Sequence, residues 1–343
     1  MTASIVPFAK EHITAAGALL AARHQRDREW APDLPPRYAD ADAARSALQQ
    51  TLSEEGISGV AAMQAGNLAG FLLGAPVLSA PTRAFAGFMR PRAAEIFYDS
   101  HAVAPGEGNA LYRRMYAPMA ERWVADGLTS HYITVAMDAA METVWSDLGF
   151  ARFIEMGVRD TEPPAVRDAA KIAEIEVRRA GPEDEEAVQE LATDLFRSWA
   201  EPPIFLPFLP ETAAARRTLQ AELLADPACP HWLAVVDGRV VGMQIFTEPG
   251  STHWNVSTLQ SPERCVYLYL ACTLAEARGA GIGDALFRQT MAWARDAGYE
   301  RCAVHFVTQS RAAAFWRGLG FRPASHWMTR HIDERATWAH GRS

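Results

Sequence analysis

Arg278-Gly279-Ala280-Gly281-Ile282-Gly283 is the stretch on which the reading of this chain turns. It follows an apolar run, Cys265-Val266-Tyr267-Leu268-Tyr269-Leu270-Ala271-Cys272, that reads as a long strand. It precedes Asp284-Ala285-Leu286-Phe287-Arg288, the opening of a helix that extends to Ala297. Glycines let the backbone turn tightly and gather N–H groups on one concave side. The start of a helix adds unpaired N–H groups and a positive end. Arg278 adds a charge-assisted contact. Together these features predict a diphosphate cradle. No Lys-Ser/Thr pair follows the glycines, so the stretch is not a P-loop. Its glycine spacing also differs from a dinucleotide fingerprint, and the elements before it read as an antiparallel meander.

Working outward, the chain repeats itself. Val60-Ala61-Ala62-Met63-Gln64-Ala65-Gly66-Asn67-Leu68-Ala69-Gly70 matches Trp232-Leu233-Ala234-Val235-Val236-Asp237-Gly238-Arg239-Val240-Val241-Gly242 at an offset of 172. Both read strand, glycine turn, strand, and Asp237-Gly238 is a hairpin signal. Trp145-Ser146-Asp147-Leu148-Gly149-Phe150 matches Trp316-Arg317-Gly318-Leu319-Gly320-Phe321 at an offset of 171. Between them, Asn109-Ala110-Leu111-Tyr112-Arg113 matches Asp284-Ala285-Leu286-Phe287-Arg288 at an offset of 175. The first copy therefore carries four more residues in its helix, about one turn, which keeps the apolar face in direction. Two related α/β domains with mixed, mostly antiparallel sheets are expected, over residues 1–160 and 174–333. A proline-containing linker over 161–173 joins them, with room for a short helix in the second half of 160–170, and 334–343 reads as a polar tail.

The composition agrees. A length of 343 residues suits two domains, and 49% apolar residues supply two cores. A net charge of -8 disfavours non-specific binding to nucleic acid or to anionic membranes. Arginine supplies nearly all the basic charge, since Lys10 and Lys171 are the lysines, and codon bias explains that best. Cys229, Cys265, Cys272 and Cys302 form no CxxC pair, so neither a disulfide framework nor a zinc site is expected. A reduced, cytoplasmic setting fits, with no metal and with neither a signal peptide nor a membrane span.

Residues 175–332 resemble the GCN5-related N-acetyltransferase (GNAT) superfamily. Arg278, Gly281 and Gly283 fit its acyl-CoA signature. The run Gln309-Ser310-Arg311-Ala312-Ala313-Ala314-Phe315-Trp316-Arg317-Gly318-Leu319-Gly320-Phe321 resembles its final helix and Leu-Gly-Phe turn. A fainter likeness covers residues 5–158, so the chain resembles a tandem member. The resemblance implies central strands that splay apart and a pantetheine arm paired with backbone at Leu270, Ala271, Cys272 and Thr273. It implies a diphosphate held by Arg278, Gly279, Ala280, Gly281, Ile282 and Gly283, with Gln309, Ala312, Phe315 and Trp316 flanking the cofactor. The implied reaction is transfer from acetyl-CoA to a small-molecule amine by direct attack in a ternary complex. A non-catalytic acyl-CoA sensor and an O-acyltransferase are the competing readings, and a monomer or a homodimer suits either.

This sequence departs from the family pattern at the positions of acid–base work. Trp316 stands where a tyrosine is usual, Gln309 where asparagine is frequent, and the long strand lacks the glutamate many members use as base. The remaining candidates are Tyr267 and Tyr269, which share a strand face, and His305, whose imidazole titrates near neutrality. Glu201 and His253 are candidates for the acceptor rim. Cys272 has no evident His–acid partner, which favours a core role. In the first copy the cradle becomes Val103-Ala104-Pro105-Gly106-Glu107-Gly108. It has no arginine, and an acid opposes a diphosphate there, so a structural or site-closing role is expected for this half.

Overall fold

A computed structural model describes residues 3–340 apart from positions 81, 85, 166–173, 254, 255 and 258. The short helix expected within the linker falls largely outside those residues. The first half runs β1 (Ser4–Pro7), α1 (Ile13–Trp30), α2 (Ala41–Leu52), β2 (Ser58–Gln64), β3 (Asn67–Leu78), β4 (Arg92–Ile96) and β5 (His101–Val103). It continues through α3 (Asn109–Ala125), β6 (Ser130–Ala136), α4 (Ala139–Asp147) and β7 (Ala151–Asp160). The second half runs β8 (Glu176–Arg179), α5 (Glu185–Ser198), α6 (Ala213–Ala225), β9 (His231–Val236), β10 (Arg239–Thr247) and β11 (Cys265–Thr273). Then come α7 (Ile282–Asp296), β12 (Arg301–Val307), α8 (Arg311–Gly318), β13 (Arg322–His331) and α9 (Ala336–His340). The last helix lies in the stretch expected as a polar tail and rests on α3.

The repeated motifs become repeated geometry. Ala65-Gly66 and Asp237-Gly238 each turn a hairpin with positive φ at both residues, +48° and +83° in one, +49° and +76° in the other. In α7 the apolar spacing buries Ile282, Ala285, Leu286, Phe287, Met291 and Ala294 against β9–β11, and Gly298 at φ +88° ends the helix.

The described strands form one sheet in the order β1-β2-β3-β4-β6-β13-β7-β12-β11-β10-β9-β8, with β5 on β3. The two halves exchange their last strands. β7 of the first copy pairs with β12 of the second, and β13 of the second pairs with β6 of the first. β7 and β13 then pair antiparallel with each other, closing the seam. We propose that the copies divide at 1–160 and 174–333 and are interlocked by this exchange. The core follows the same logic. Leu20, Leu48 and Phe71 from the first half share one apolar cluster with Met156, Tyr267 and Ala303. Asp33 adds a polar tie across the seam, with its carboxylate 2.8 Å from Arg301 Nε and also bonded to Arg322.

Candidate functional site

The cradle takes its shape from two left-handed glycines. Gly279 has φ +81° and Gly281, the residue capping α7, has φ +85°. A side chain at either position carries strain. The first α7 amide to find a helical acceptor is Ala285 N–H, which donates to Gly281 O at 2.9 Å. Among the described residues, the N–H groups of Gly279, Gly281, Ile282, Gly283 and Asp284 have no protein acceptor. They gather at the positive end of α7. Close packing fixes the loop. A Cβ on Gly283 would lie 2.9 Å from the Phe315 ring, and one on Gly242 would lie 2.7 Å from Ile282 Cγ2. The donor set and the bare backbone fit a diphosphate. Arg278 braces the loop rather than standing loose, with Nε donating to Thr273 O at 3.1 Å and its head 3.6 Å from Asp194. Asp194 carries no motif signal of its own, because it lies on α5, far from the cradle in sequence.

The gap beside the cradle comes from strand divergence. β11 and β12 run parallel only from Cys265↔Arg301 to Leu268↔Val304. Beyond that point β11 stays on β10, with a bulge at Tyr269, and its outer edge over 270–273 has no strand partner among the described residues. Leu270, Ala271, Cys272 and Thr273 lie along that edge. Cys272 points inward, its thiol directed to Leu191 O at 3.5 Å and pushed up to about 12 by burial, so it is not a thiolate nucleophile.

At the divergence point three predicted residues meet. His305 Nδ1 is 2.9 Å from the Tyr267 hydroxyl, and the Tyr267 and Tyr269 rings lie edge to face at 6.1 Å. His305 keeps a partly open edge, yet desolvation brings its imidazole down to about 4, so the ring is neutral at pH 7. Burial pushes the Tyr269 phenol well up, which leaves it a hydrogen-bond donor. The His253 ring lies 6.5 Å from that of Tyr269, and His253 also lines an open cleft of about 560 Å³ with Glu222, Asp226 and Ser251.

Other expected residues are placed apart. Glu201 is exposed on the 199–210 segment, which packs through Trp199 and Pro207 on Phe88 and Gly87 of the first half. Gln309 is exposed and Ala312 half-buried at the start of α8. Phe315 faces the cradle, whereas Trp316 turns into the core against Phe287, Phe315 and Phe321. The helical spacing of α8 puts Trp316, three residues after Ala313, on the same buried face. No metal-ligand cluster occurs among the described residues, and none of their helices is long and apolar enough to cross a membrane.

The first half lacks the equivalent gap. Its counterpart of β11 is broken into β4 and β5, and the β4–β6 ladder ends at Ile96↔Ile133. His101 of β5 then reaches across, with Nε2 3.2 Å from Thr134 O on β6 and Nδ1 3.1 Å from the Tyr112 hydroxyl. Arg23 NH1 donates to His101 O at 2.7 Å, and Asp27 accepts from the Tyr98 hydroxyl at 2.8 Å. These groups are buried and fill the place where the second half opens.

Residues 187–321 match the model of the Acetyltransferase (GNAT) family. A GCN5-related N-acetyltransferase from Sphaerobacter thermophilus has a similar fold, with 17% identity, 96% of each chain covered and a TM-score of 0.56. So does a tandem GNAT protein from the clavulanic acid biosynthesis pathway, with 16% identity, 95% of this chain and 97% of that one covered, and a TM-score of 0.51. A glucosamine N-acetyltransferase region of a fungal multi-domain GH3 β-N-acetylglucosaminidase matches at 14% identity and a TM-score of 0.60. That match covers 96% of this chain and 38% of the fungal one. No curated protein sequence matches the chain.

Proposed function

We propose that this chain, a tandem GNAT-superfamily protein with a well-matched C-terminal domain, transfers an acetyl group from acetyl-CoA to the amine of a small molecule. Family and fold support acyl-CoA-dependent acyl transfer in general. The finer reading rests on one observation: the opened β11 edge lies between a donor-rich cradle and the Tyr267–His305 pair.

A bound acyl-CoA would supply an activated acyl group, and the chain would bind it, orient the acceptor and take up the amine's proton. The amides of Gly279, Gly281, Ile282, Gly283 and Asp284 would hold the diphosphate. The outer edge over 270–273 would pair with the pantetheine arm and supply N–H donors to the acyl oxygen. In the tautomer protonated on Nδ1, His305 donates to the Tyr267 oxygen and presents Nε2 as the acceptor for the amine's proton, directly or through water. Tyr269 orients the acceptor by donating its hydroxyl proton. A phenol raised so far is a poor proton source for a thiolate, and Trp316 is withdrawn into the core, so the departing thiolate would take its proton from solvent.

That missing acid is also what favours a second reading, a non-catalytic acyl-CoA sensor. Thiol release from acetyl-CoA across a panel of small amines and alcohols separates the two. Turnover with amines supports the transferase. Tight acetyl-CoA binding with no thiol release over the whole panel would leave the sensor.

A further inference from the structure

The first half has closed its cofactor gap, but the same face of its sheet carries an unabsorbed carboxylate. Glu95 stands on β4, 172 residues before Tyr267, in the copy-equivalent position. Its cross-strand neighbour is Tyr132. The Tyr132 ring stacks on Trp327 at 4.8 Å and 26°, and Trp327 packs on Phe153 at 5.7 Å. Phe153 lies 6.3 Å from Phe88, and Phe88 lies 4.7 Å from Trp199. A row of aromatic rings thus runs from the second half's loop to Glu95. Tyr132 is buried, but Glu95, Trp327, Phe153, Phe88 and Trp199 all keep a partly open side. Strand exchange builds this wall, because Trp327 belongs to β13 and Phe153 to β7.

The charges acting at Glu95 itself have one sign. Among the described residues, Glu95 has no ion-pair partner. The Trp327 indole N–H bears on its carboxylate without the alignment of a regular hydrogen bond. Desolvation raises the carboxyl to about 7, and the other charge acting on it is a second acid, Glu54. Arg90 gives its backbone N–H to the Tyr132 hydroxyl, and its charge bears on Tyr132 and His331 but not on Glu95. A carboxylate on an apolar wall is costly unless something positive meets it. Ring faces attract the same kind of group, a cation with an apolar coat. A hard metal ion needs several oxygen donors, and this wall offers one carboxylate.

We propose that Glu95, Tyr132, Trp327 and Phe153 form a binding site for an alkylammonium group, separate from the acyl-transfer site. The carboxylate supplies the countercharge, the partly open Trp327 and Phe153 rings supply cation–π contact, and the buried Tyr132 ring backs Trp327. The first half is then an acceptor-type pocket without a cofactor slot.

Calorimetry on the full chain at about pH 8, where the carboxyl is ionised, tests this with two probe pairs. The pairs are choline against 3,3-dimethyl-1-butanol and n-butylammonium against 1-butanol. At least one cation is expected to bind about tenfold more tightly than its neutral counterpart. Glu95→Gln should remove about tenfold of that affinity and Trp327→Leu a similar amount, with melting curves confirming that each variant is folded. Failure of both cations to outbind their neutral counterparts would overturn the site using wild-type protein alone. So would undiminished cation affinity in folded Glu95→Gln. Acetyl-CoA turnover reports on the other site and bears on neither outcome.

Discussion

Glu155 and His326 face each other across the β7–β13 ladder, and they are the same position of the two copies, 171 residues apart. The local two-fold relation between the halves therefore passes between a carboxylate and an imidazole, both almost fully buried. His326 also bonds Glu142 of α4 through Nδ1, while Arg317 of α8 closes on Glu155 and Arg152 on Glu142. This cluster joins both copies at their seam, and through Arg317 it anchors the helix whose Phe315 ring shapes the cradle.

The cluster gives stability a definite pH window. Burial alone would lower His326, but hydrogen bonds and charges from Glu142 and Glu155 outweigh it and raise the imidazole above its ordinary 6.5. Burial alone would raise the two carboxyls, but His326 with Arg152 and Arg317 outweighs it and holds both below their ordinary 4.5. The His326 contribution is complete below pH 6.5 and is lost as pH rises through its raised folded value. The carboxylate contribution is complete above pH 4.5 and is lost as pH falls through the lowered folded values. His326→Ala should cost about 3 kcal/mol within that window and less toward alkaline pH. Thermal melts of both proteins across pH test this; a Tm gap that does not narrow above neutrality would show that the imidazolium charge contributes nothing.

What the sequence disclosed and what it withheld divide along the range of the interactions. The cradle was legible because Gly279 and Gly281 answer a local backbone demand, and the hairpins at Gly66 and Gly238 were legible for the same reason. The strand divergence was reachable only through family resemblance. Strand exchange was silent, because β7 and β13 carry the same alternation whichever copy they pair with. The Tyr267–His305 contact was foreseen as two candidates and not as a pair, since 38 residues and a helix separate them. Glu95 had one available signal, its place in the repeat opposite Tyr267.

One acyl-CoA should bind per chain. His101, Tyr112 and Arg23 occupy the place of the cofactor gap in the first half, whose cradle has Val103 at the position of Arg278 and adds an acid, Glu107. Titration calorimetry with acetyl-CoA should give a stoichiometry near one. A value near two would mean that the buried plug moves aside.

Arg278 and Asp194 should act on cofactor affinity in opposite directions. Arg278→Ala removes the brace to Thr273 and the positive charge beside the cradle, so the dissociation constant should rise about tenfold. Asp194→Asn removes a negative charge held 3.6 Å from that guanidinium, so affinity should hold or improve. Both effects should shrink as ionic strength rises, because both groups are partly exposed. Unchanged affinity in Arg278→Ala would remove the arginine from cofactor binding and leave the backbone amides to act alone.

His305 sets the pH behaviour of the acyl-transfer site. With its imidazole brought down to about 4, it is neutral throughout the physiological range and loses its proton-accepting form only in strong acid. The rate should therefore be flat in His305 protonation from pH 6 upward. His305→Gln should lower kcat about a hundredfold or more while leaving acetyl-CoA affinity unchanged, the split expected of a proton acceptor beside the bound cofactor. Tyr267→Phe removes the hydroxyl that fixes the ring and should cost about tenfold in kcat, with the imidazole's orientation lost and its basicity retained. If His305→Gln keeps full kcat on an amine that wild type acetylates, proton removal belongs to solvent, and the pair at the divergence point serves to hold the acceptor in place.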